Sequence, residues 1–168
     1  QGRVAAGEWV AIYGCGGVGL SALMIARSLG ARVIAVDIDP KALEMVQRLM
    51  AVVVGANRGF VTRTQAADRV LQMLTFLDES ATRYHGAWPH WINGSNGKVI
   101  PFSPLDDGGD LVETAFLCQG LICVYEYFRE GNPEEKQLAD KAYELWTGVE
   151  WNWYTQGEDA LYWHWSPN

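Results

Sequence analysis

The sequence predicts a mixed chain in which a short βαβα fragment at residues 1–49 is followed by a mainly α-helical fragment at residues 50–168. In the first fragment, two short apolar runs flank a glycine-rich turn and a helical pattern, as in a strand-helix-strand unit. In the second fragment, apolar residues recur at helical spacing. Composition changes at the same point: Lys and Arg number 5 against 4 Asp and Glu up to Met50, and 8 against 16 after it. Two differently composed pieces therefore meet near Leu49 and Met50.

Overall composition disfavours several classes of protein. With 168 residues, 49% of them apolar, the chain can build a core. Its net charge of -7 argues against nucleic acid as a partner, because proteins that bind phosphate backbones present clustered Lys and Arg. We expect no membrane span and no signal peptide, since neither pattern is found in the sequence. The cysteines lack CxxC spacing, so we expect small buried residues rather than disulfides or a zinc site at Cys15, Cys118 and Cys123.

A glycine turn follows the first predicted strand, residues 9–13, and precedes a predicted helix. It has the spacing G-x-G-x-x-G, in which Gly14 permits the turn, Gly16 lets a pyrophosphate approach the backbone and Gly19 lets the helix pack on the strand. Asp37 ends the next predicted strand, where a carboxylate accepts hydrogen bonds from the ribose of NAD. This predicts a Rossmann-like segment with NAD as cofactor. A strand-to-helix turn that binds no nucleotide is the alternative.

The second fragment contains the start signals of helices. Thr62 and Gln65 have the spacing of a capping box, and they precede one apolar stripe: Ala66, Val70, Met73, Leu74 and Leu77. Asn132 is placed to cap another helix with Pro133 at its first position. Two Asn-Gly pairs within residues 90–100 predict a small hairpin.

Three carboxylates precede or begin a further predicted helix, which starts near Gly108 or Gly109 and runs to about Arg129. Their spacing of i, i+4 and i+7 predicts one shared helix face. Mutual repulsion or burial can raise one carboxyl pKa towards that of a general acid, and glycoside hydrolysis needs one protonated and one ionised carboxyl. The candidate catalytic residues are therefore Asp106, Asp110 and Glu113. A solvated helix cap is the alternative.

Aromatic and histidine side chains surround this acidic stretch in the sequence. Such rings suit the apolar faces of sugars, and their polar atoms suit sugar hydroxyls. The candidate substrate-binding residues are His85, His90, Trp91, Trp163 and His164. Core packing is the alternative. The histidines lack H-x-x-H or H-E-x-x-H spacing, so we predict no metal site.

Residues 1 to about 49 resemble the NAD-binding core of zinc-type medium-chain alcohol dehydrogenases, on the stretch GEWVAIYGCGGVGLSALMIARSLGARVIAVDIDPKALEMV. The resemblance implies cofactor-binding roles for Gly14, Gly16, Gly19 and Asp37, and a cytoplasmic location. It does not extend to the domain that carries the family's catalytic zinc ligands.

From Met50 to Asn168 the chain is similar to bacterial endo-β-1,2-glucanases and glucoamylase-like proteins, on stretches such as YHGAWPHWINGSNGKVIPFSPLDDGGDLVETAFLCQGL and LADKAYELWTGVEWNWY. The resemblance implies part of an α/α toroid, inverting hydrolysis of β-glucans without a cofactor, and a periplasmic or extracellular location. It places Asp106, Asp110 and Glu113 in the acidic pocket. Asp107 stands where the family often has asparagine.

Together these patterns predict a partial dinucleotide-binding segment at residues 1–49 and a partial toroid at residues 50–168. We expect a glycoside hydrolase-like fragment that takes a β-glucan, of the β-1,2-linked type, with weak or no turnover. An NAD-dependent alcohol dehydrogenase-like fragment and a composite chain with neither activity are the alternatives. Each fragment leaves strand edges or helix stripes uncovered, so self-association through apolar surfaces is a further expectation.

Overall fold

A computed structural model of the chain describes residues 4–13, 22, 25–27, 29–36 and 46–168. The chain divides into two compact units, Gln1–Arg48 and Leu49–Asn168. The described residues form four longer helices, one 3-10 helix and six short strands.

The first unit contains two parallel strands, β1 at Trp9–Tyr13 and β2 at Arg32–Val36. Trp9 lies opposite Arg32, and Tyr13 lies opposite Val36. Parallel neighbours require a crossover connection, and residues 25–27 within that connection are helical. The two predicted strands are thereby confirmed, whereas the predicted glycine turn and Cys15 lie outside the described residues.

The helices are α1 at Val46–Asn57, α2 at Arg63–Glu79, α3 at Leu111–Phe128 and α4 at Pro133–Thr147. Both predicted caps are confirmed. Gln65 donates its backbone N–H to Thr62 Oγ1 at 3.1 Å, and its side chain accepts from the Thr62 N–H at 2.9 Å. Asn132 and Glu135 form the same reciprocal pair at 2.9 and 3.1 Å. Each box satisfies backbone donors that a helix start leaves unpaired.

The core of the second unit lies between α2, α3 and α4, with α4 in contact with both other helices. The predicted stripe of α2 faces this core, although Met73 is only half-buried. Ion pairs tie the helices together at the surface: Arg63 Nε lies 2.7 Å from Glu135 Oε1, and Lys141 Nζ lies 2.6 Å from Asp78 Oδ2. The fully buried apolar side chains include Leu74, Leu77, Leu121, Val124, Phe128 and Ala142.

Helix α3 has the length and composition of a membrane span, with a mean hydropathy of 1.2. The sequence analysis did not anticipate this. A core helix of a folded domain meets the same test, and α3 buries Leu117, Leu121 and Val124 among other residues. Packing against α4 covers part of its apolar surface, and Val112 and Ile122 stay exposed.

Two short antiparallel pairs accompany the helices. Strand β3 at Trp91–Ile92 pairs with β4 at Val99–Ile100, which confirms the predicted hairpin. Strand β5 at Gly109–Asp110 pairs with β6 at His164–Trp165, so that Asp110 lies opposite His164. The second pair joins residues more than fifty positions apart.

Glycine is required at both positions that precede Asp110. A Cβ at Gly108 would clash with the Trp165 carbonyl oxygen. A Cβ at Gly109 would clash with the Tyr154 hydroxyl and lie 3.3 Å from the Ala87 Cβ. The glycine pair therefore allows β5 to approach β6 and the 3-10 helix Trp151–Thr155 closely.

Candidate functional site

Asp110 is the fully buried centre of the candidate site. It precedes α3 in extended conformation, and its Oδ1 accepts the backbone N–H groups of Val112 at 2.8 Å and Glu113 at 2.9 Å. Its Oδ2 accepts from Trp163 Nε1 at 3.1 Å and lies 3.1 Å from His90 Nδ1. Burial would raise the pKa of this carboxyl, but hydrogen bonds from His90, the Glu113 backbone and Trp163 outweigh burial and lower it. Asp110 is therefore a carboxylate at neutral pH.

The prediction of three carboxylates on one helix face was wrong. Helix α3 begins at Leu111 rather than at Gly108 or Gly109, and Asp110 caps it from outside. Asp106 lies earlier still, in a turn closed by a bridge with Ser103. The pairing of β5 with β6 draws residues 109–110 into extended conformation, so of the three carboxylates Glu113 alone is helical.

The structure nevertheless brings Asp106 and Asp110 beside His90, on which the charge of Glu113 also acts. The pKa of His90 is raised, first by its hydrogen bond to Asp110 and then by the charges of Glu113, Asp110 and Asp106, against the opposing effect of burial. An imidazolium at this position would offset part of the negative charge of the cluster.

The pKa of Glu113 shifts in the direction opposite to that of Asp110. Burial raises the pKa of the Glu113 carboxyl, the charge of Asp110 adds to this rise, and the charge of His90 opposes it. Two neighbouring carboxyls thus have opposite pKa shifts, an asymmetry typical of acid-base chemistry.

Asp106 faces His164 without a hydrogen bond. Their closest atoms, Asp106 Oδ1 and His164 Nδ1, are 3.9 Å apart, which exceeds hydrogen-bond length. Both atoms are buried and have no hydrogen-bond partner among the described residues. A buried acceptor beside a buried ring nitrogen costs folding free energy, and such unpaired groups are unusual outside functional sites.

His90, Asp106 and Asp110 offer three potential metal-ligand atoms within 4.8 Å of one another. The hydrogen bonds argue against a metal. Both oxygens of Asp110 already accept from N–H groups, and a cation there would have to displace or oppose those donors. The arrangement fits a hydrogen-bonded cluster better than a metal centre.

Hydrogen bonds of Trp88 attach the segment that carries His90 to α3 and to its N-cap. The Trp88 N–H donates to Thr114 Oγ1 at 2.9 Å, and the Asp110 N–H donates to the Trp88 carbonyl at 2.9 Å. Thr114 is fully buried, and the sequence analysis did not single it out. No sequence pattern pointed to it, because its partner lies 26 positions earlier.

Exposed rings flank this cluster. Trp163, which bonds Asp110, is 64% exposed, and Phe102 is 52% exposed. The His90 ring centroid lies 4.4 Å from that of Phe102 and 5.4 Å from that of Trp91. Phe102 was missed because the sequence analysis considered tryptophan, tyrosine and histidine alone; its place between the hairpin and the acidic stretch was the available signal.

His85 belongs to a second group of rings. It stacks on Trp153 with ring centroids 3.7 Å apart, and its Nδ1 lies 3.0 Å from Glu150 Oε2. Trp153 in turn contacts Trp165 at 5.2 Å. Among the predicted substrate-binding residues, His90, Trp91, Trp163 and His164 therefore lie at or beside the carboxylates, whereas the recorded contacts of His85 are with Trp153 and Glu150.

A cavity of about 260 Å³ opens beside β6 and is lined by Tyr154, Gln156, Tyr162, His164 and Trp165. His164 is thus partly accessible from this cavity. The four predicted cofactor-binding residues lie outside the described residues: Gly14, Gly16, Gly19 and Asp37.

Comparison with known proteins gives two separate sets of matches. The family Alanine dehydrogenase/PNT, C-terminal domain matches residues 2–78. An alcohol dehydrogenase of Geobacillus stearothermophilus is 49% identical over 45 residues, which cover 27% of this chain and 13% of that protein.

The second set covers most of the chain. Exo beta-1,2-glucooligosaccharide sophorohydrolase (non-reducing end) of Parabacteroides distasonis is 49% identical over 123 residues, which cover 71% of this chain and 17% of that protein. The structure of endo-beta-1,2-glucanase from Chitinophaga pinensis, in complex with sophorotriose and glucose, is 53% identical with a TM-score of 0.69. The match covers 71% of this chain and 28% of that chain.

The chain is a composite. One part of it is similar to NAD-binding dehydrogenase segments and a larger part to β-1,2-glucan hydrolases, as both sequence resemblances implied. The first family match runs to residue 78 and so reaches into α2 of the composite chain. The composite spans less than a third of the length of each of these three relatives.

Proposed function

We propose that residues 50–168 form part of an α/α toroid and hold part of a site for β-1,2-linked glucan, with little or no turnover by this chain. The observation that carries the proposal is the pair of neighbouring carboxyls with opposite pKa shifts, Asp110 lowered and Glu113 raised, beside exposed rings. The names of the matched relatives supply the linkage and the substrate class.

The rings around the carboxylates suit a sugar ligand. Trp91, Phe102 and Trp163 expose apolar surface on which a pyranose ring can stack. His90 and Asp106 offer polar atoms for hydroxyl groups nearby. Binding of this kind needs no cofactor.

Inverting hydrolysis needs more than this cluster. The acid and the base act from opposite sides of the scissile bond, with carboxyl groups roughly 6.5 to 9.5 Å apart. Asp106 and Asp110 lie beside His90, and the charge of Glu113 also raises the pKa of that histidine. We infer that they contribute from one side, and that a segment outside these 168 residues supplies the opposing carboxyl.

Incubation of the full chain with linear β-1,2-glucan tests the proposal. We expect measurable binding by calorimetry, little release of short oligosaccharides, and weaker binding by Trp163→Ala, which removes both a stacking ring and a donor to Asp110. Asp140→Asn is the matched surface control, because Asp140 is exposed on α4. A folded chain that does not bind the glucan would refute the binding site. Robust hydrolysis would refute the one-sided site, and robust hydrolysis that Glu113→Gln leaves unchanged would refute the role of the cluster.

A second proposal concerns residues 1–49 as a partial dinucleotide-binding segment. The parallel pairing of β1 with β2 and the family match at residues 2–78 favour NAD binding through Gly14, Gly16, Gly19 and Asp37. Bound NAD would supply a hydride acceptor. We expect weak or no binding, because the matched segment is short compared with a whole dehydrogenase. Calorimetric titration with NAD tests this. Micromolar affinity would favour the dehydrogenase-like alternative. A chain that binds neither NAD nor the glucan would favour a composite with neither activity.

A further inference from the structure

All acceptor positions of the Asp110 carboxylate are in use. A carboxylate accepts about four hydrogen bonds, two at each oxygen. Oδ1 receives the N–H groups of Val112 and Glu113, and Oδ2 receives Trp163 Nε1 and faces His90 Nδ1. The side chain has no exposed surface. A substrate could therefore reach Asp110 only after one of these bonds breaks.

The hydrogen bond between His90 and Asp110 determines which ring nitrogen of His90 carries the proton. A carboxylate cannot donate, so the Nδ1 that lies 3.1 Å from Asp110 Oδ2 must carry the hydrogen. In the part of the chain that the structure describes, no hydrogen bond is recorded for His90 Nε2, and 21% of the side chain is exposed. Nε2 is thus the nitrogen left for a ligand.

We propose that Asp110 is a positioning residue that acts through His90: it holds the ring with Nδ1–H towards Oδ2 and leaves Nε2 to bind a hydroxyl of the sugar. This rests on the proposed glucan site. The groups that face His90 are the carboxylates of Asp106, Asp110 and Glu113 and the rings of Trp91 and Phe102. While all four contacts of its carboxylate hold, Asp110 acts on a ligand only through His90.

The tautomer of His90 provides a readout that a purely structural role would not move. In Asp110→Asn the amide oxygen can still cap α3, while the amide NH₂ takes the place of Oδ2 and donates to Nδ1. The neutral ring must then carry its proton on Nε2. Glu150→Gln makes the same change beside His85, whose Nδ1 lies 3.0 Å from Glu150 Oε2, and is the matched control.

Nitrogen-15 NMR of the imidazoles in the full chain measures this directly, with His90→Gln to assign the signals. We expect the neutral form of His90 to be protonated on Nδ1 in the parent and on Nε2 in Asp110→Asn, with no change of His90 in Glu150→Gln. A parent His90 protonated on Nε2, or a tautomer that Asp110→Asn does not alter, would overturn the proposal. The parent measurement does not depend on Asp110→Asn, so it decides even where that variant fails to fold.

Titration with linear β-1,2-glucan separates this proposal from the glucan site itself. We expect the Nε2 signal of His90 to shift on binding, and we expect His90→Gln to weaken binding about tenfold, as loss of one hydrogen bond does. Binding without a shift of Nε2 would overturn the hydroxyl contact. If no glucan binds, the glucan site and the hydroxyl contact both fail, while the tautomer still decides whether Asp110 positions His90.

Discussion

Substitution of Gly109 by alanine tests whether close packing of β5 assembles the site. The added Cβ would clash with the Tyr154 hydroxyl, lie 3.1 Å from the Tyr154 Cζ and lie 3.3 Å from the Ala87 Cβ. Tyr154 is almost fully buried, and its hydroxyl donates to the Tyr84 carbonyl, so the ring cannot move aside freely. Overpacking of this kind costs about 1–3 kcal/mol.

Urea unfolding followed by tryptophan fluorescence measures the effect. With an m-value of about 1–3 kcal/mol/M, a loss of about 2 kcal/mol lowers the midpoint by roughly 1 M. Gly94→Ala is the matched control, because nothing lies within 4 Å of a Cβ at that position. The free energy of unfolding of Gly94→Ala should differ from that of the parent by less than about 0.5 kcal/mol. Equal midpoints for Gly109→Ala and the parent would refute the packing argument.

Three further substitutions test other features. His90→Gln should lose stability relative to the parent mainly in acid: the folded pKa of His90 is raised, so its contribution is complete below the unfolded pKa of about 6.5 and disappears as pH rises through the folded value. Urea midpoints at acidic and alkaline pH measure this. Thr62→Ala should destabilise the second unit by about 1 kcal/mol through loss of its cap, again measured in urea. Ile122→Lys should reduce self-association in sedimentation, because Ile122 is exposed on the apolar helix α3.

For each of these three predictions, a different measured outcome would contradict the reasoning. A difference between His90→Gln and the parent that grows with pH would contradict the sign of the pKa shift. For the cap, Thr62→Ser is the control, since it retains the hydroxyl, and equal loss in both variants would point to the methyl group instead. A parent chain that sediments as a monomer at all concentrations would remove the case for association.

Local chemistry made the helix caps predictable from the sequence. The Thr62 and Asn132 boxes use partners three positions away, so the residues that decide them are adjacent in the chain. The hairpin at residues 91–100 was predictable for the same reason, since its Asn-Gly turns are local.

The start of α3 was not predictable by this route. Whether Gly109 and Asp110 continue a helix or form a strand depends on β6, which lies more than fifty residues later. The same distance separates Asp110 from Trp163, its indole donor. Sequence spacing identified the three carboxylates but could not show that one of them caps the helix and that His90 lies among them.

The span of the Asp110 cluster along the chain also constrains when it can form. Its histidine is residue 90, its carboxylate residue 110 and its indole residue 163, and the partner strand ends at Trp165. During synthesis, α2 and the hairpin can form while β5 still has an unpaired edge and Asp110 still lacks one donor. A nascent chain must therefore keep this edge free of other strands until residues 163–165 have left the ribosome, so the site assembles after α2 and the hairpin.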